Sequence, residues 1–421
     1  MTYYRWRMIA LAFIGVIITY LDRSALSYAI TPLQTEFGFT DTDFGLIAAA
    51  FGIGYMIMTV VGGILVDFIG ARKIWSIFSI FWSVACGLMA FASGLGTFFL
   101  LRLLLGVAEG PSFPALTRVA ADWLPVSERA RALAFGLAAV PFASFIGAPL
   151  ISHLVATVGW RLMFVILAGF GIVWAIVWYL CFRDKPEQMR NISQKELLHI
   201  QEGLDIQFKS DSIAQPKTTV RSILLNRSLM ANNYAFFVFG YLLFFAITWL
   251  PGYLEQTFHI NVREAGWFLT VPWITATFLI LLGGVISDAI WHKTHRIRLA
   301  RSHVIWICQV ISAICFIPVV IYQSLPITII GITLGIGFGL MPNAAFYAIN
   351  ADLARDRAGT SLGIMDCGFA LAGILAPLIT GFLANLTGNF NAAIGLLITL
   401  TFSSALAIIL WQHPDENKLS A

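Results

Sequence analysis

The sequence predicts an all-α membrane protein, with twelve transmembrane helices in two pseudo-symmetric six-helix bundles. Three observations predict it. First, 59% of the 421 residues are apolar and only 11% are charged, where a soluble domain carries roughly a quarter charged residues; mean hydropathy is +0.83. A soluble core cannot absorb so much apolar sequence, because a soluble domain presents polar surface to water. Second, the apolar runs recur at about the 20-residue length that a helix needs to cross a bilayer. Third, the chain repeats itself. GGILVDFIG at 62–70 returns as GGVISDAIW at 283–291, each with paired glycines, an aspartate (Asp67, Asp288) and basic residues after it.

Helices α1 to α6 are expected near 8–30, 44–66, 74–93, 97–121, 131–156 and 161–182, and α7 to α12 near 230–253, 265–290, 302–321, 325–350, 359–384 and 390–411. The stretch 183–227 is charged and partly helical in pattern. It reads as a cytoplasmic linker between an N-terminal bundle (1–182) and a C-terminal bundle (228–421). Internal repeats of this kind are a signature of secondary transporters, whose substrate site lies between the halves near the midplane.

Charge tests the helix count. With a cytoplasmic N-terminus, the inside loops hold Arg5, Arg7, Arg72, Lys73, Arg129, Arg131, Lys293, Arg296, Arg298, Arg301, Arg355 and Arg357, and the linker adds eight Lys/Arg. The outside loops hold Arg161 and Arg263, and the first of them has Glu36, Asp41 and Asp43 without a basic residue. That is the positive-inside asymmetry, which a wrong count would scramble. The net charge of +4 is thus explained by orientation signals, and nucleic acid is not expected as a partner. The first apolar run contains Asp22 and Arg23, lacks a small-residue cleavage site and is long enough to span, so it reads as a helix and not a cleaved leader. Cys86, Cys181, Cys308, Cys315 and Cys367 lack metal-type spacing and read as packing residues.

The run Gly63-x-x-x-Asp67-x-x-Gly70-x-Arg72-Lys73 has a readable role. Gly63 permits close helix packing, and Asp67 stands at a helix end where basic partners can hold it, a latch that breaks during a conformational swing. This run resembles the loop motif of the major facilitator superfamily. The resemblance extends over most of the chain, to the anion:cation symporter family within that superfamily. It rests on Tyr20-Leu-Asp22-Arg23-Ser24 in α1, Arg102-Leu-Leu-Leu-Gly106-Val-Ala-Glu109-Gly110-Pro111-x-x-Pro114 in α4, Trp123-x-Pro125-x-x-Glu128-Arg129, Gly159-Trp160-Arg161, Thr248-Trp249-Leu250-Pro251-x-Tyr253-Leu254 in α7, and Ala376-Pro377 with Gly381 in α11. The resemblance implies proton-coupled uptake of a small organic anion such as a hexuronate, aldonate or aldarate. It also implies a bacterial inner-membrane location with both termini cytoplasmic, a functional monomer, and no cofactor beyond the coupling proton.

Asp22, Arg23, Arg102 and Glu109 lie inside apolar helices. Each costs at least about 2.5–3.5 kcal/mol at a helix centre, so membrane logic makes them functional and paired; the alternative is an ion-pair cluster that only joins α1 to α4. Adjacent residues point about 100° apart on a helix. Tyr20, Arg23 and Ser27 share one face, so Arg23 is expected to face the cavity and grip a carboxylate bidentately. Asp22 then faces a neighbouring helix with Arg102 as its expected partner, and Glu109 is expected to be exposed enough to exchange a proton. Two acids and two arginines sum to zero. A bound anion leaves a negative charge that one proton on a carboxylate cancels, which couples anion to proton. In the resembling family the matching acids are proton sites and the matching arginine holds the anion. Tyr20, Tyr55, Tyr241, Trp249 and Tyr347 are candidates to complete the pocket, against a bland reading as packing or interface aromatics.

Helix α11 departs from the family pattern. Sugar-acid members read G-x-M-N-x-x-G-N-x-x-G there, where this chain has Gly363-Ile-Met365-Asp366-Cys367-Gly368-Phe369-Ala370-Leu-Ala-Gly373. Asp366 is open to three readings: a partner for a substrate amino group, an extra proton site, or a structural acid bonded to α7 or α10. The first suits an importer of amino acids or other zwitterions, the alternative function. A channel or receptor is disfavoured by the two homologous halves and the midplane charges. An enzyme is disfavoured by the lack of a nucleophile–base set or metal spacing inside the membrane. Drug efflux fits a pair of cavity arginines less well than anion transport does.

Overall fold

A computed structural model describes residues 4–189, 192–200, 219–354 and 358–415, and these residues are helices and short connections. Helix α1 is Tyr4–Phe37, α2 Asp41–Ile69, α3 Ala71–Phe91 and α4 Leu95–Trp123. One helical run, Val126–Cys181, follows; it breaks at Gly159 (φ 79°, ψ 163°) into α5 (126–158) and α6 (160–181). Then come α7 Arg227–Phe258, α8 Val262–Thr294, α9 Arg298–Ile321, α10 Leu325–Asn350 and α12 Asn391–Trp411, with α11 at Ala358–Thr387. Among the described residues, eleven stretches are long and apolar enough to cross a membrane. The 44-residue stretch Ala138–Cys181 is long enough for two passes of about 20 residues, so the architecture is that of twelve helices. Exposed apolar side chains such as Phe68, Val285, Leu180 and Leu386 suit a lipid-facing surface.

Packing groups the described chain into two compact units. The first contains Met1–Ala25, Ala50–Ala143 and Leu154–Gln215; the second contains Leu26–Ala49, Ser144–His153 and Pro216–Ala421. In the first, Trp75, Trp82, Trp174 and Trp178 form a stacked and edge-on cluster joining α3 to α6.

Helices α4 and α10 share a feature that the repeat at 62–70 and 283–291 did not reveal. Each is broken at a proline, α4 around Gly110–Pro111 and α10 around Met341–Pro342. The glycine pair of each half packs on that break. A Cβ on Gly62 would meet Pro111 Cγ at 2.6 Å, and one on Gly283 would overlap the Met341 carbonyl. By contrast, Cβ atoms on Gly63 and Gly284 would reach only ordinary contact, 3.8 Å from Pro114 and Ala344. This corrects the expectation for Gly63: the close approach depends on Gly62, one residue earlier and so about 100° round the helix.

The acids of the repeat are each held by an arginine. Asp67 pairs with Arg118 of α4 at 3.3 Å, and Asp288 with Arg301 of α9 at 2.8 Å. Arg72 turns away from Asp67: its backbone N–H donates to Asp184 (2.8 Å) and its Nε to the Tyr179 carbonyl (2.9 Å). Gly70 makes this turn at φ 99°, where a Cβ would also press on the Asp184 carboxylate at 2.8 Å.

The described part of the linker is docked and not merely solvated. Glu196 is fully buried and accepts from the Arg5 backbone N–H (3.1 Å) and Nη1 (3.3 Å). Arg5 also grips Glu128 (2.8 and 3.2 Å), which His199 approaches at 3.4 Å. Linker residues 190–191 and 201–218, Arg355 and Arg357, and the side chains of Arg129 and Arg131 lie outside the described residues. The Arg5 guanidinium holds the Glu128 carboxyl below its ordinary range. A depressed pKa stabilises docking above the ordinary value, about 4.3, and loses that contribution as pH falls through the lowered one. Amide exchange of 193–200 is therefore expected to be slow at neutral pH and to rise selectively below about pH 4; no selective rise would contradict the anchoring role of Glu128.

Candidate functional site: a buried charge cluster in the first unit

Close contact between α2 and α4 builds the site. A Cβ on Gly106 would overlap the Phe51 carbonyl, and one on Gly54 the Leu103 carbonyl, so small residues let two backbones meet. That brings Phe51 and Tyr55 of α2 against Arg102 and Glu109 of α4. Helix α1 changes from α to 3-10 winding at Leu26–Ala29, immediately after its charged residues. The Arg23 carbonyl, next to that change of winding, accepts from Arg102 Nη2 at 3.0 Å.

Arg23 is the centre of the cluster. Its Nε donates to Glu109 Oε2 at 2.6 Å, with side-chain exposures of 4% and 0%. Its guanidinium carbon lies 4.4, 4.8 and 4.5 Å from the ring centres of Tyr20, Phe51 and Tyr55, a cation–π enclosure. The two terminal nitrogens, Nη1 and Nη2, are buried and have no protein hydrogen-bond partner; nor have Arg102 Nε and Nη1, Glu109 Oε1 and Asp22 Oδ2. Buried polar atoms are nearly always paired, so a group of orphans demands an explanation. Two parallel donors on a rigid fork match a carboxylate.

Two sequence expectations are corrected here. Asp22 was expected to pair with Arg102. Arg102 instead donates to the Arg23 carbonyl, and Asp22 Oδ1 accepts from the Cys86 thiol at 3.6 Å. Glu109 was expected to be exposed enough to exchange a proton, but it is fully buried, because the break at Gly110–Pro111 leaves it at the end of a helical segment facing Arg23. Phe51 and Cys86 were missed. The i, i+4 spacing of Phe51 and Tyr55 was a usable signal for the first; a lone apolar-looking cysteine offered none for the second.

The remaining candidates belong to the second unit. Trp249 is fully buried, donates to the Pro377 carbonyl at 3.3 Å and packs on Phe44 and Phe390, which is the bland packing role. Tyr241 is buried, with the Thr380 hydroxyl beside its own. Asp366 is exposed and hydrogen-bonded by Tyr347 of α10; the Tyr347 ring meets Phe236, which stacks on Phe369. No described group of three or more His, Cys, Asp or Glu residues is placed to hold a metal.

Membrane-spanning helices around a buried ion cluster define a multi-pass membrane protein. The chain belongs to the Major Facilitator Superfamily, which matches residues 12–297 and 235–421. It is 29% identical to a probable sulfoacetate transporter of Cupriavidus necator, over 95% of this chain and 93% of that protein. It is 28% identical to a hexuronate transporter of Bacillus subtilis (98% and 95% covered) and 30% identical to a probable galactarate/D-glucarate transporter of the same organism (97% and 92%). Among solved structures, a bacterial homologue of the human lysosomal transporter Spinster shares the fold with a TM-score of 0.81 at 16% identity, covering 100% of this chain and 99% of that one. A D-xylose–proton symporter does so at 0.74 and 15%, with 99% of each chain covered.

Proposed function

We propose that the protein imports a small organic anion, of the sugar-acid or related carboxylate class, together with protons by alternating access. The observation that carries this reading is the Arg23 guanidinium. It is buried, enclosed by three rings, tied to an acid through Nε, and left with both terminal nitrogens unpaired. The relatives named for hexuronate, galactarate/glucarate and sulfoacetate transport support an anionic substrate. Coupling follows from charge. Asp22 and Glu109 against Arg23 and Arg102 sum to zero, and a bound anion unbalances the cluster until a carboxylate takes up a proton. On this reading the chain lies in a bacterial inner membrane with both termini cytoplasmic, so the α1–α2 turn faces outside. Uptake into proteoliposomes under an inward proton gradient, screening labelled glucuronate, galactonate, glucarate and sulfoacetate beside amino acids, tests it. Accumulation of an acid supports the reading; accumulation of amino acids alone overturns it.

A second reading, import of a zwitterion, is favoured by Asp366. It is a carboxylate in α11 whose described partner is the neutral Tyr347 hydroxyl, a setting that suits a ligand ammonium. Asp366→Asn separates the readings. Sugar-acid uptake is expected to change less than about threefold, within 1 kcal/mol, whereas zwitterion uptake would be crippled.

A further inference from the structure

Away from Arg23 and Glu109 the chain buries another carboxylate, which the proposed coupling does not use. Glu255 lies three residues from the end of α7 and is 9% exposed. Its Oε1 has no hydrogen-bond partner. The polar groups that reach it are Thr31 and Tyr28 of α1, and no cation among the described residues forms an ion pair with it. Asp67, Glu109, Glu128 and Asp288, by contrast, each have an arginine.

The surroundings of Glu255 form a tight seam within the second unit, where the last part of α1 and the first part of α2 pack on α7 and α11. Gly252 admits Ile30, whose Cγ2 lies 2.8 Å from where a Cβ would be. Phe44 meets Trp249 edge-on with ring centres 5.1 Å apart. Gln256 donates to Gln34 (3.0 Å) and Asp41 (3.4 Å), and Gln34 donates to Asp41 at 2.7 Å. A Cβ on Gly45 would stand 2.7 Å from the Pro377 carbonyl, and Gly381 faces the Asp41 carbonyl. Asp41 is therefore supplied with donors, and Glu255, one residue from Gln256, is not.

We propose that Glu255 is a proton-linked gate residue: this end of the transporter closes on α7 only when Glu255 is neutral, so closure takes up a proton there. An ionised carboxylate largely removed from water without a cation is penalised more than one threonine hydroxyl offsets. When the seam parts, water reaches the carboxylate and it can ionise. The other titratable and charged groups at this end do not supply the missing counter-charge. Tyr28 is neutral, and Asp41 is bound by the two glutamines. Tyr253 neighbours Thr328 of α10. The Asp43 and Glu264 carboxylates accept from backbone N–H groups at the starts of their own helices, and Glu36, His259 and Arg263 are exposed. Pro377 and Gly381 of α11, and Phe390 just before α12, carry no charge. The inference rests on alternating access and not on the identity of the substrate.

Hydrogen–deuterium exchange of the substrate-free full-length protein tests it, read on segments 28–45 and 249–258 in acidic and alkaline buffer after correction for intrinsic exchange. In the wild type, protection of both segments is expected to fall with rising pH, by up to about tenfold per pH unit for one linked proton. Glu255→Gln is expected to stay protected at both pH values, and Glu255→Asp to keep the wild-type response. A wild type without pH response, or a Glu255→Gln variant that retains the full response, overturns the proposal. Because no substrate is present, this result stands or falls separately from anion uptake.

Discussion

Arg23→Ala is expected to abolish uptake of the anion while the protein still inserts and folds. Removing one member of a buried, hydrogen-bonded charge pair costs about 2–5 kcal/mol, which corresponds to roughly 30-fold to several-thousand-fold in affinity. Here the loss is compounded, because Glu109 is left in the interior without the cation that its Oε2 bonds at 2.6 Å. Arg23→Lys is expected to fail nearly as badly. An ammonium is a point charge; it cannot bond Glu109 through one nitrogen and offer two parallel donors through others. Its stem also lacks the flat face that Tyr20, Phe51 and Tyr55 enclose. Initial uptake rates and direct binding, compared at equal amounts of folded protein, check this. Wild-type affinity in either variant would remove Arg23 from the binding role.

Glu109→Gln is expected to split the reaction. The glutamine oxygen can still accept from Arg23 Nε, so the guanidinium keeps its orientation, but the side chain can no longer gain or lose a proton. Exchange of internal unlabelled for external labelled anion should persist. Accumulation driven by the proton gradient should fall at least tenfold, a difference of about 1.4 kcal/mol. Loss of exchange and accumulation together would make Glu109 a structural partner of Arg23, and retention of both would move the coupling role to another acid. Asp22, with Oδ2 unpaired and Oδ1 on the Cys86 thiol, is then the next candidate.

The fold was legible because its signals are collective. Apolar length, loop charge and the repeat at 62–70 and 283–291 all point to the same twelve helices, and no single residue decides the outcome. The end-to-end winding of α5 and α6 was not legible, since Gly159 interrupts the helix by one residue's φ/ψ and leaves no connecting loop. Within the cluster, residue types were readable from the cost of charge in a membrane, but pairings were not. Which acid meets which arginine depends on the 3-10 turn at Leu26–Ala29 and the break at Gly110–Pro111, features of helix geometry that a uniform 100° wheel does not contain. The same limit explains Gly62 and Gly63, where neighbours in sequence face a tight contact and an open one. Glu255 escaped notice because at a helix end a carboxylate reads as solvated, and only the packing of α1 and α2 on α7 buries it.

The central claim is that anion binding at Arg23 and proton binding at a buried carboxylate are one coupled event. Mixing purified protein with an accepted anion in weakly buffered solution with a pH indicator tests it directly. The wild type should take up a proton and turn the medium alkaline, with an amplitude that saturates along with binding, and Glu109→Gln should bind without the pH change. An anion that binds tightly to the wild type with no proton uptake, or with proton release, would contradict the claim.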